Sequence, residues 1–337
     1  MGYGGCMGEH DQVLLVCMDR SGSNLVHGII NQHPEVYLAP ALPLFELVFP
    51  VRELYDTPLD DRAWADLIQD MVDLTNANHR PLPRMDVTVE EVRGRLGDRP
   101  RSLGAVIQAI YRLQADARGG RVGGVKFGPS WDKVRPFLAQ TTWSRAVFQR
   151  RDPRDVIISV RRAGFNTMEP ERYADYWLRW HREMRAALGE YGIPVMETRY
   201  EDLLQRPEDT VDGIFDFLGV APHPDAVHTY HVDEDQRRAA AASHMWANVA
   251  RPLQTDNHEK FYREWNARDI AAIEAVLGEG LPEFGYAPAD PERFETTDRV
   301  PPQRRLEQAD RSFHAAQEAV LERITDRHAR SVGAAGS

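Results

Sequence analysis

The sequence predicts an α/β fold in which a parallel β-sheet carries helices on both faces. Two observations support this prediction: short apolar runs that are typical of buried strands alternate with segments of helical periodicity, and the first run leads through a glycine-containing loop into a helix. Parallel strands are joined by right-handed crossovers. Ligands of such sheets bind at the carboxyl ends of the strands, so functional residues are expected in the loops there.

The first strand is predicted at residues 13–18, a continuous apolar run. A short loop follows, and apolar residues then recur at helical spacing from Leu25 to Ile30. Pro34 ends this helix, because proline cannot donate a backbone hydrogen bond and biases His33 out of the helical region. Further short apolar runs predict three more strands, at residues 122–127, 145–149 and 194–197.

The remaining domain is predicted to be rich in helices. Residues 58–118 form a mostly helical insertion, in which Thr88 and Glu91 have the spacing of a capping box. Aromatic and apolar residues between Tyr173 and Met184 recur at helical spacing and predict one long helix with a buried face.

One α/β domain is predicted at residues 12–290, after a flexible N-terminus at residues 1–11. Residues 291–303 are rich in proline and predict a linker. Apolar residues at heptad-like intervals predict a helix at residues 304–325, followed by a flexible tail at residues 326–337. This helix is expected to dock on its own domain or on a partner, and a homodimer through it is one of these alternatives.

Composition limits the classes of function. The chain has 337 residues and a formal net charge of −11, which opposes nonspecific binding to nucleic acid. Its apolar runs are far shorter than the roughly 20 residues of a membrane helix, so no stable membrane insertion is expected. The N-terminus lacks the pattern of a secretory signal, and only two cysteines occur, so a cytoplasmic location is expected.

The loop after the first strand has the features of an anion site. It reads Arg20-Ser21-Gly22-Ser23-Asn24 and opens a helix, whose free N–H groups favour a phosphate or sulfate. The alternative is an ordinary strand-to-helix turn. The loop lacks the lysine and hydroxyl of a magnesium-binding P-loop, which disfavours a kinase.

A second candidate site follows the strand at residues 145–149. Asp152 is placed to cap a helix that Pro153 begins. Arg151 at the strand end and Ser159 inside the helix could then bind one phosphate. The alternative is a capped helix with surface arginines.

Together these motifs resemble those of the sulfotransferases that use 3'-phosphoadenosine-5'-phosphosulfate (PAPS). Two further segments match that family: Arg199-Tyr200-Glu201-Asp202-Leu203, followed by Pro207 and Phe217-Leu218-Gly219, and the segment from Arg251-Pro252 to Lys260. The four matches run in family order over most of the chain. The resemblance implies a P-loop-like sulfotransferase fold.

The resemblance also implies an activity: transfer of a sulfo group from PAPS to a hydroxyl or amine of a small-molecule, lipid or carbohydrate acceptor, giving 3',5'-ADP without a metal. Arg20 and residues 21–24 would bind the phosphosulfate, and Lys126 would face the sulfo group. The 3'-phosphate would be bound by Arg151, Ser159 and Lys260, with Arg162 a weaker addition. Tyr200 would lie near the adenine, and the segment that begins at Arg251 would close over the nucleotide.

The general base is where the sequence departs from the family. Related bacterial enzymes carry a Glu several residues after His-Pro, but this chain has Ala, Pro and Leu there. Glu46 is the nearest carboxylate and the first candidate, followed by His33, His27 and Asp132. Asn24 also replaces the family's threonine. These departures leave open a non-catalytic or regulatory protein that binds PAPS or 3',5'-ADP, and the acceptor is expected to contact residues 36–118.

Overall fold

The computed structural model describes residues 11–40, 42–56, 58–77, 86–164, 166, 168–242, 244–296 and 315–335. The five strands within these ranges are β1 (Gln12–Cys17), β2 (Val36–Ala39), β3 (Val122–Phe127), β4 (Arg145–Arg150) and β5 (Val195–Arg199). They form one sheet in the order β2-β3-β1-β4-β5, and every pairing is parallel. The predicted fold class is confirmed.

Strand β2 was not predicted from the sequence. It has four residues, all of them buried, and it pairs with β3 in the register Val36 to Val122. Its four apolar residues follow a His-Pro turn and are too few to show a period. The pairing of β2 with β3 nevertheless places residue 40 beside the carboxyl end of β3.

Helices cover both faces of the sheet. The first half of the chain contains α1 (Ser23–Ile30), α2 (Leu44–Val48), α3 (Asp61–Asn76), α4 (Val89–Leu96), α5 (Leu103–Asp116) and α6 (Trp131–Leu138). The region after β4 contains α7 (Pro153–Ala163), α8 (Pro170–Glu190), α9 (Tyr200–Gln205), α10 (Pro207–Leu218), α11 (Ala226–Thr229) and α12 (Glu234–Ala242). The last described helices are α13 (Phe261–Glu264), α14 (Ala267–Leu277), α15 (Gly280–Glu283) and α16 (Ala315–Ala335). Short 3₁₀ helices occur at Phe49–Tyr55, Tyr230–Val232, His244–Ala250 and Pro291–Arg293.

The core has two layers, because successive strand residues point to opposite faces. Leu14 and Val16 of β1 pack in the layer that contains α3, α5 and α8. Val13 and Leu15 pack in the opposite layer with α1 and α10. Each fully buried leucine contributes about 1.5–3 kcal/mol, so the alternation fixes the register of β1.

The predicted insertion at residues 58–118 contains α3, α4 and α5. The predicted capping box is present: the Thr88 hydroxyl accepts a hydrogen bond from the Glu91 backbone N–H, and the Glu91 carboxylate accepts one from the Thr88 N–H. The long aromatic helix is α8, and Tyr173, Trp177 and Trp180 lie in the core as expected.

The C-terminal helix continues beyond its predicted end at residue 325, to Ala335. No glycine or proline lies between residues 326 and 332 to end it. The predicted start at residue 304 lies outside the described residues, as do residues 1–10 of the predicted N-terminus, residues 297–303 of the predicted linker, and residues 336 and 337. Among the described helices, none combines the length and apolar composition that a membrane crossing requires.

Candidate functional site

The loop after β1 has a left-handed backbone at two positions. The φ angle is 64° at Arg20 and 83° at Gly22. A Cβ atom on Gly22 would lie 2.2 Å from Cδ2 of Tyr200, so a tyrosine ring occupies the space that any larger residue would need. The Gly22 carbonyl accepts hydrogen bonds from the N–H groups of Leu25 and Val26 at 3.0 and 3.1 Å, which begins α1 directly after the turn. The predicted glycine turn is therefore a packed feature of the fold.

Hydrogen bonds from residues at the ends of neighbouring strands fix the position of this loop. The buried Ser21 hydroxyl donates to the Met18 carbonyl at 2.7 Å. Gln149 at the end of β4 donates to the Ser21 carbonyl at 3.4 Å, and its side-chain oxygen accepts from Thr198 of β5 at 2.6 Å. Three adjacent strands thus fix one loop backbone.

Lys126 lies where the sequence places it, at the end of β3 and facing the loop. Its Nζ is 3.5 Å from the Ser23 hydroxyl and donates to the side-chain oxygen of Asn24. Asn24, which replaces the family's threonine, therefore orients the lysine. Since β3 and β1 are adjacent and parallel, their carboxyl ends bring this ammonium group to the helix N-terminus.

Arg20 connects the two predicted motifs. Its Nε donates to the Ser159 hydroxyl at 2.9 Å. Burial lowers the pKa of the Arg20 guanidinium, and the charge of Asp19 acts in the opposite direction. The loop after β1 and helix α7 therefore form one site.

Arg151 is 4% exposed and contacts several parts of this site. Its Nη2 donates to the Asn257 carbonyl at 2.8 Å and lies 3.5 Å from Asp155, and its guanidinium lies 4.3 Å from the centre of the Tyr200 ring. Its Nε is buried and makes no hydrogen bond within the part of the chain that the structure describes. The Arg151 guanidinium thus joins Asn257, Asp155 and Tyr200 at one point of the site.

Lys260 lies beside Arg151. Burial and the charge of Arg151 lower the pKa of Lys260 to about 8, and Asp155 opposes this shift. The Asp155 carboxylate also accepts a hydrogen bond from the Phe261 backbone N–H at 3.2 Å, which ties α7 to the residue after the lysine. Two cations held this near each other indicate a place for an anion.

Tyr200 forms one wall of the site. The residue is 4% exposed, and its hydroxyl accepts a hydrogen bond from Asn257 Nδ2 at 2.7 Å. The ring lies between Gly22 and Arg151. Tyr200 therefore lines the cleft and also packs against Gly22 and Arg151.

These residues surround a cleft of about 110 Å³. Its lining includes Arg20, Gly22, Ser23, Asn24, Arg151, Ser159 and Tyr200, all predicted from the sequence, together with Tyr230, Trp246, Asn248, Gln254 and Asn257, which were not. Gln254 and Asn257 lie in the segment that runs from Arg251 to Lys260, Trp246 and Asn248 lie shortly before it, and Tyr230 lies further back in the chain. That segment could have indicated Gln254 and Asn257, but the sequence alone does not show which of its side chains face inward.

Four predicted cations are not among the residues that line the cleft: Lys126 and Lys260, described above, and Arg251 and Arg162. Arg251 is exposed, and its carbonyl accepts from the Tyr230 hydroxyl at 2.8 Å, while its neighbour Pro252 lines the cleft. Arg162 is 54% exposed and pairs with Glu264 at 2.8 Å. Arg251 and Arg162 therefore lie at the edge of the site and not in the lining of the cleft.

Glu46 of α2 contacts the segment that follows β3. Its Oε1 accepts a hydrogen bond from the Ser130 backbone N–H at 3.2 Å and lies 3.8 Å from Lys133 Nζ. Burial, together with the charges of Asp19 and Glu46, raises the pKa of Tyr176 to about 12. Glu46 and the residue before Arg20 therefore act on the same tyrosine.

The two histidine alternatives for the base occupy structural positions. His33 lies at the far end of α1, where its Nε2 hydrogen-bonds to the Ala221 carbonyl at 2.9 Å. His27 is 5% exposed, and its Nε2 hydrogen-bonds to the Leu38 carbonyl at 2.8 Å. Burial and the charge of Lys126 lower the pKa of His27 to about 4, so it stays neutral.

Asp132 is exposed in the first turn of α6. Within the described ranges, no three His, Cys, Asp or Glu side chains are grouped in a way that could hold a metal ion.

Comparisons with known proteins include a family match. The model of the family described as "Sulfotransferase family" matches residues 12–225. A search among curated proteins gives no significant match.

Solved sulfotransferase structures resemble this chain to different degrees. The sulfotransferase domain from the Synechococcus PCC 7002 olefin synthase is 18% identical with a TM-score of 0.50, and the match covers 82% of this chain and 98% of that one. The sulfotransferase domain from the curacin biosynthetic pathway is 14% identical with a TM-score of 0.46, covering 94% and 98% of the two chains. A sulfotransferase from Mycobacterium avium is 14% identical with a TM-score of 0.40, covering 83% and 78%. With a family model that matches well over half of its length, this chain belongs to the sulfotransferase family.

Proposed function

We propose that this protein transfers a sulfo group from PAPS to a hydroxyl or amine of an acceptor and releases 3',5'-ADP. The observation that carries the proposal is the convergence of Arg20, Lys126 and Arg151 on one loop at the carboxyl ends of β1, β3 and β4. The chain as a whole has a net charge of −11, so this positive region is local. It suits a ligand with two separate anionic groups.

The chemistry of the cleft fits the nucleotide. Arg151 and the Ser159 hydroxyl line the cleft and, together with Lys260 beside Arg151, would supply donors for the 3'-phosphate. The aromatic rings of Tyr200, Tyr230 and Trp246 line the same cleft and offer flat surfaces to an adenine. Gly22 lets the loop backbone approach the 5'-phosphate at the start of α1.

Arg20 and Lys126 would act in the transfer step itself. As the bond between sulfur and the 5'-phosphate oxygen breaks and the bond to the acceptor oxygen or nitrogen forms, negative charge grows on the leaving phosphate. Arg20, Lys126 and the N–H groups that open α1 stabilise that charge. Loss of one such donor costs ~3 kcal/mol, or on the order of a hundredfold in rate.

Glu46 would accept the proton that the acceptor loses. Its Oε1 accepts a hydrogen bond from the Ser130 backbone N–H and lies 3.8 Å from Lys133 Nζ, and a general base must be an ionised carboxylate. Both contacts occupy Oε1, and this favours the second candidate, a PAPS-binding protein with little turnover. Transfer that is unchanged in Glu46→Gln would remove Glu46 from the mechanism.

The acceptor side is proposed to be built by residues 36–118, and a small molecule, a lipid or a carbohydrate would each suit a site formed between α2 and the loop after β1. The residues around Glu46 include the rings of Phe49, Trp131 and Tyr176. An acceptor with an apolar part would bury it against these rings.

Calorimetric titration with 3',5'-ADP in the absence of magnesium tests the proposal. Wild type should bind, and Arg151→Ala should bind on the order of a hundredfold more weakly, because truncating one partner of a buried charged hydrogen bond costs ~3 kcal/mol. The matched control is Arg121→Ala, which removes an exposed arginine paired with Glu35 at 2.9 Å. If folded wild type does not bind, or if both variants bind equally well, the proposed nucleotide site is wrong.

A further inference from the structure

The C-terminal helix α16 docks on helix α3 of its own domain. Val320 and Ile324 are 5% and 2% exposed and join the main core. Gln317 is 1% exposed, and its Nε2 donates to the carbonyl of Leu74 at 3.2 Å. The apolar side of α16 is thus covered within the chain.

Two arginines of α16 contact acidic residues of α3 in different ways. Arg323 lies 3.4 Å from Asp73, and both side chains are well exposed. Arg327 donates a hydrogen bond to Asp70 and lies 3.8 Å from Asp66. Asp70 is only 4% exposed, so the contact with Arg327 lies inside the protein.

Asp70 links α16 to the region of Glu46. The hydroxyl of Tyr55 donates to Asp70 at 2.9 Å, and Tyr55 is 5% exposed. Tyr55 ends the 3₁₀ segment Phe49–Tyr55, which directly follows α2 and has a kink at Val51, and α2 carries Glu46. Burial raises the pKa of Asp70, while the hydrogen bonds from Arg327 and Tyr55 act in the opposite direction.

We propose that α16 positions the acceptor side of the site: the contacts from Arg327 through Asp70 to Tyr55 fix the segment 44–55 that carries Glu46. Without Arg327, Asp70 keeps a buried negative charge whose remaining hydrogen-bond donor within the described ranges is Tyr55, and this is costly in a site of low polarity. The carboxylate then takes up water or a proton, and Tyr55 loses its fixed partner. The term acceptor side depends on the proposed function, but the coupling of α16 to residues 44–55 does not.

Hydrogen exchange on the full-length protein measures this coupling. Arg327→Met replaces the charged side chain with an unbranched apolar one. It should raise amide exchange at least several-fold in peptides that cover residues 44–55. Tyr55→Phe should give the same local increase. Both variants should bind 3',5'-ADP as wild type does, because Tyr55, Asp70 and Arg327 are not among the residues that line the nucleotide cleft.

Arg323→Met is the matched control, since it removes an ion pair from the same helix that does not contact Asp70. It should leave exchange at residues 44–55 unchanged. The double variant Asp70→Asn with Arg327→Met should restore slow exchange, because a neutral side chain that can still accept from Tyr55 needs no arginine. Equal exchange in wild type and Arg327→Met, or an equal increase in Arg323→Met, would overturn the inference. Normal coupling in a protein that fails to bind 3',5'-ADP would reject the proposed function and leave the coupling standing.

Discussion

Replacement of Gly22 by alanine would damage the site through two separate costs. The φ angle of 83° is unfavourable for any residue with a Cβ by about 1–2 kcal/mol. The added methyl would also lie 2.2 Å from Cδ2 of Tyr200, well inside van der Waals contact. The ring cannot move aside easily, because its hydroxyl is bonded to Asn257 and Arg151 lies against its face.

We therefore expect Gly22→Ala to lose roughly 2–4 kcal/mol of stability or to displace Tyr200 from the cleft. Urea denaturation measures the first effect, and calorimetric titration with 3',5'-ADP measures the second. A displaced Tyr200 should weaken binding at least tenfold, which corresponds to about 1.4 kcal/mol.

Gly94→Ala provides the control, since Gly94 lies inside α4 and nothing is within 4 Å of an added Cβ. Alanine there should raise stability by about 0.5–1 kcal/mol and leave the nucleotide affinity unchanged. If Gly22→Ala matched wild type in both stability and affinity, the packing of Tyr200 on the loop would not be what shapes the site.

Three further outcomes follow from the site. Lys126→Met should lower the transfer rate on the order of a hundredfold while changing the 3',5'-ADP affinity much less, as a comparison of kcat with the calorimetric Kd would show. Lys260, with a pKa of about 8, loses its charge as the pH rises through that value, so 3',5'-ADP affinity should fall between about pH 7 and about pH 9 in wild type but not in Lys260→Arg. Burial and the charge of Asp152 raise the pKa of Glu201 from 4.5 to about 7. The resulting loss of folded-state stability is complete above about pH 7 and absent below about pH 4.5. Urea midpoints should therefore show Glu201→Gln to be more stable than wild type by ~1–3 kcal/mol near pH 8, with the difference shrinking as the pH falls.

The residues that the sequence could place are those whose roles are local. A continuous apolar run predicts β1, and the capping residues Asp152 and Pro153 predict the start of α7 beside Arg151. Because parallel strands end at the same edge, strand order alone brings Arg20, Lys126 and Arg151 together.

The sequence could not show contacts between residues far apart in the chain. Tyr200 packs on Gly22, and Asn257 contacts both Tyr200 and Arg151, because of how distant segments fold over the sheet. No periodicity records such contacts. Strand β2 was missed because four buried residues are too short to distinguish a strand from a turn.

The choice of a base shows the same limit. His27 and His33 are reasonable candidates by residue type. Burial keeps His27 neutral, and His33 lies at the far end of α1, away from the loop. The docking of α16 on α3 also depends on tertiary contacts, since the heptad-like spacing suits a partner chain equally well.

The central claim is that the cleft binds the 3'-phosphate of the nucleotide specifically, and one set of titrations tests it most directly. Wild type and Arg151→Ala would each be titrated, without magnesium, with 3',5'-ADP and with 5'-AMP, which differ only in the 3'-phosphate. Wild type should prefer 3',5'-ADP by on the order of a hundredfold, and Arg151→Ala should lose most of that preference. Equal affinity of wild type for the two nucleotides, or a preference that survives in Arg151→Ala, would contradict the account.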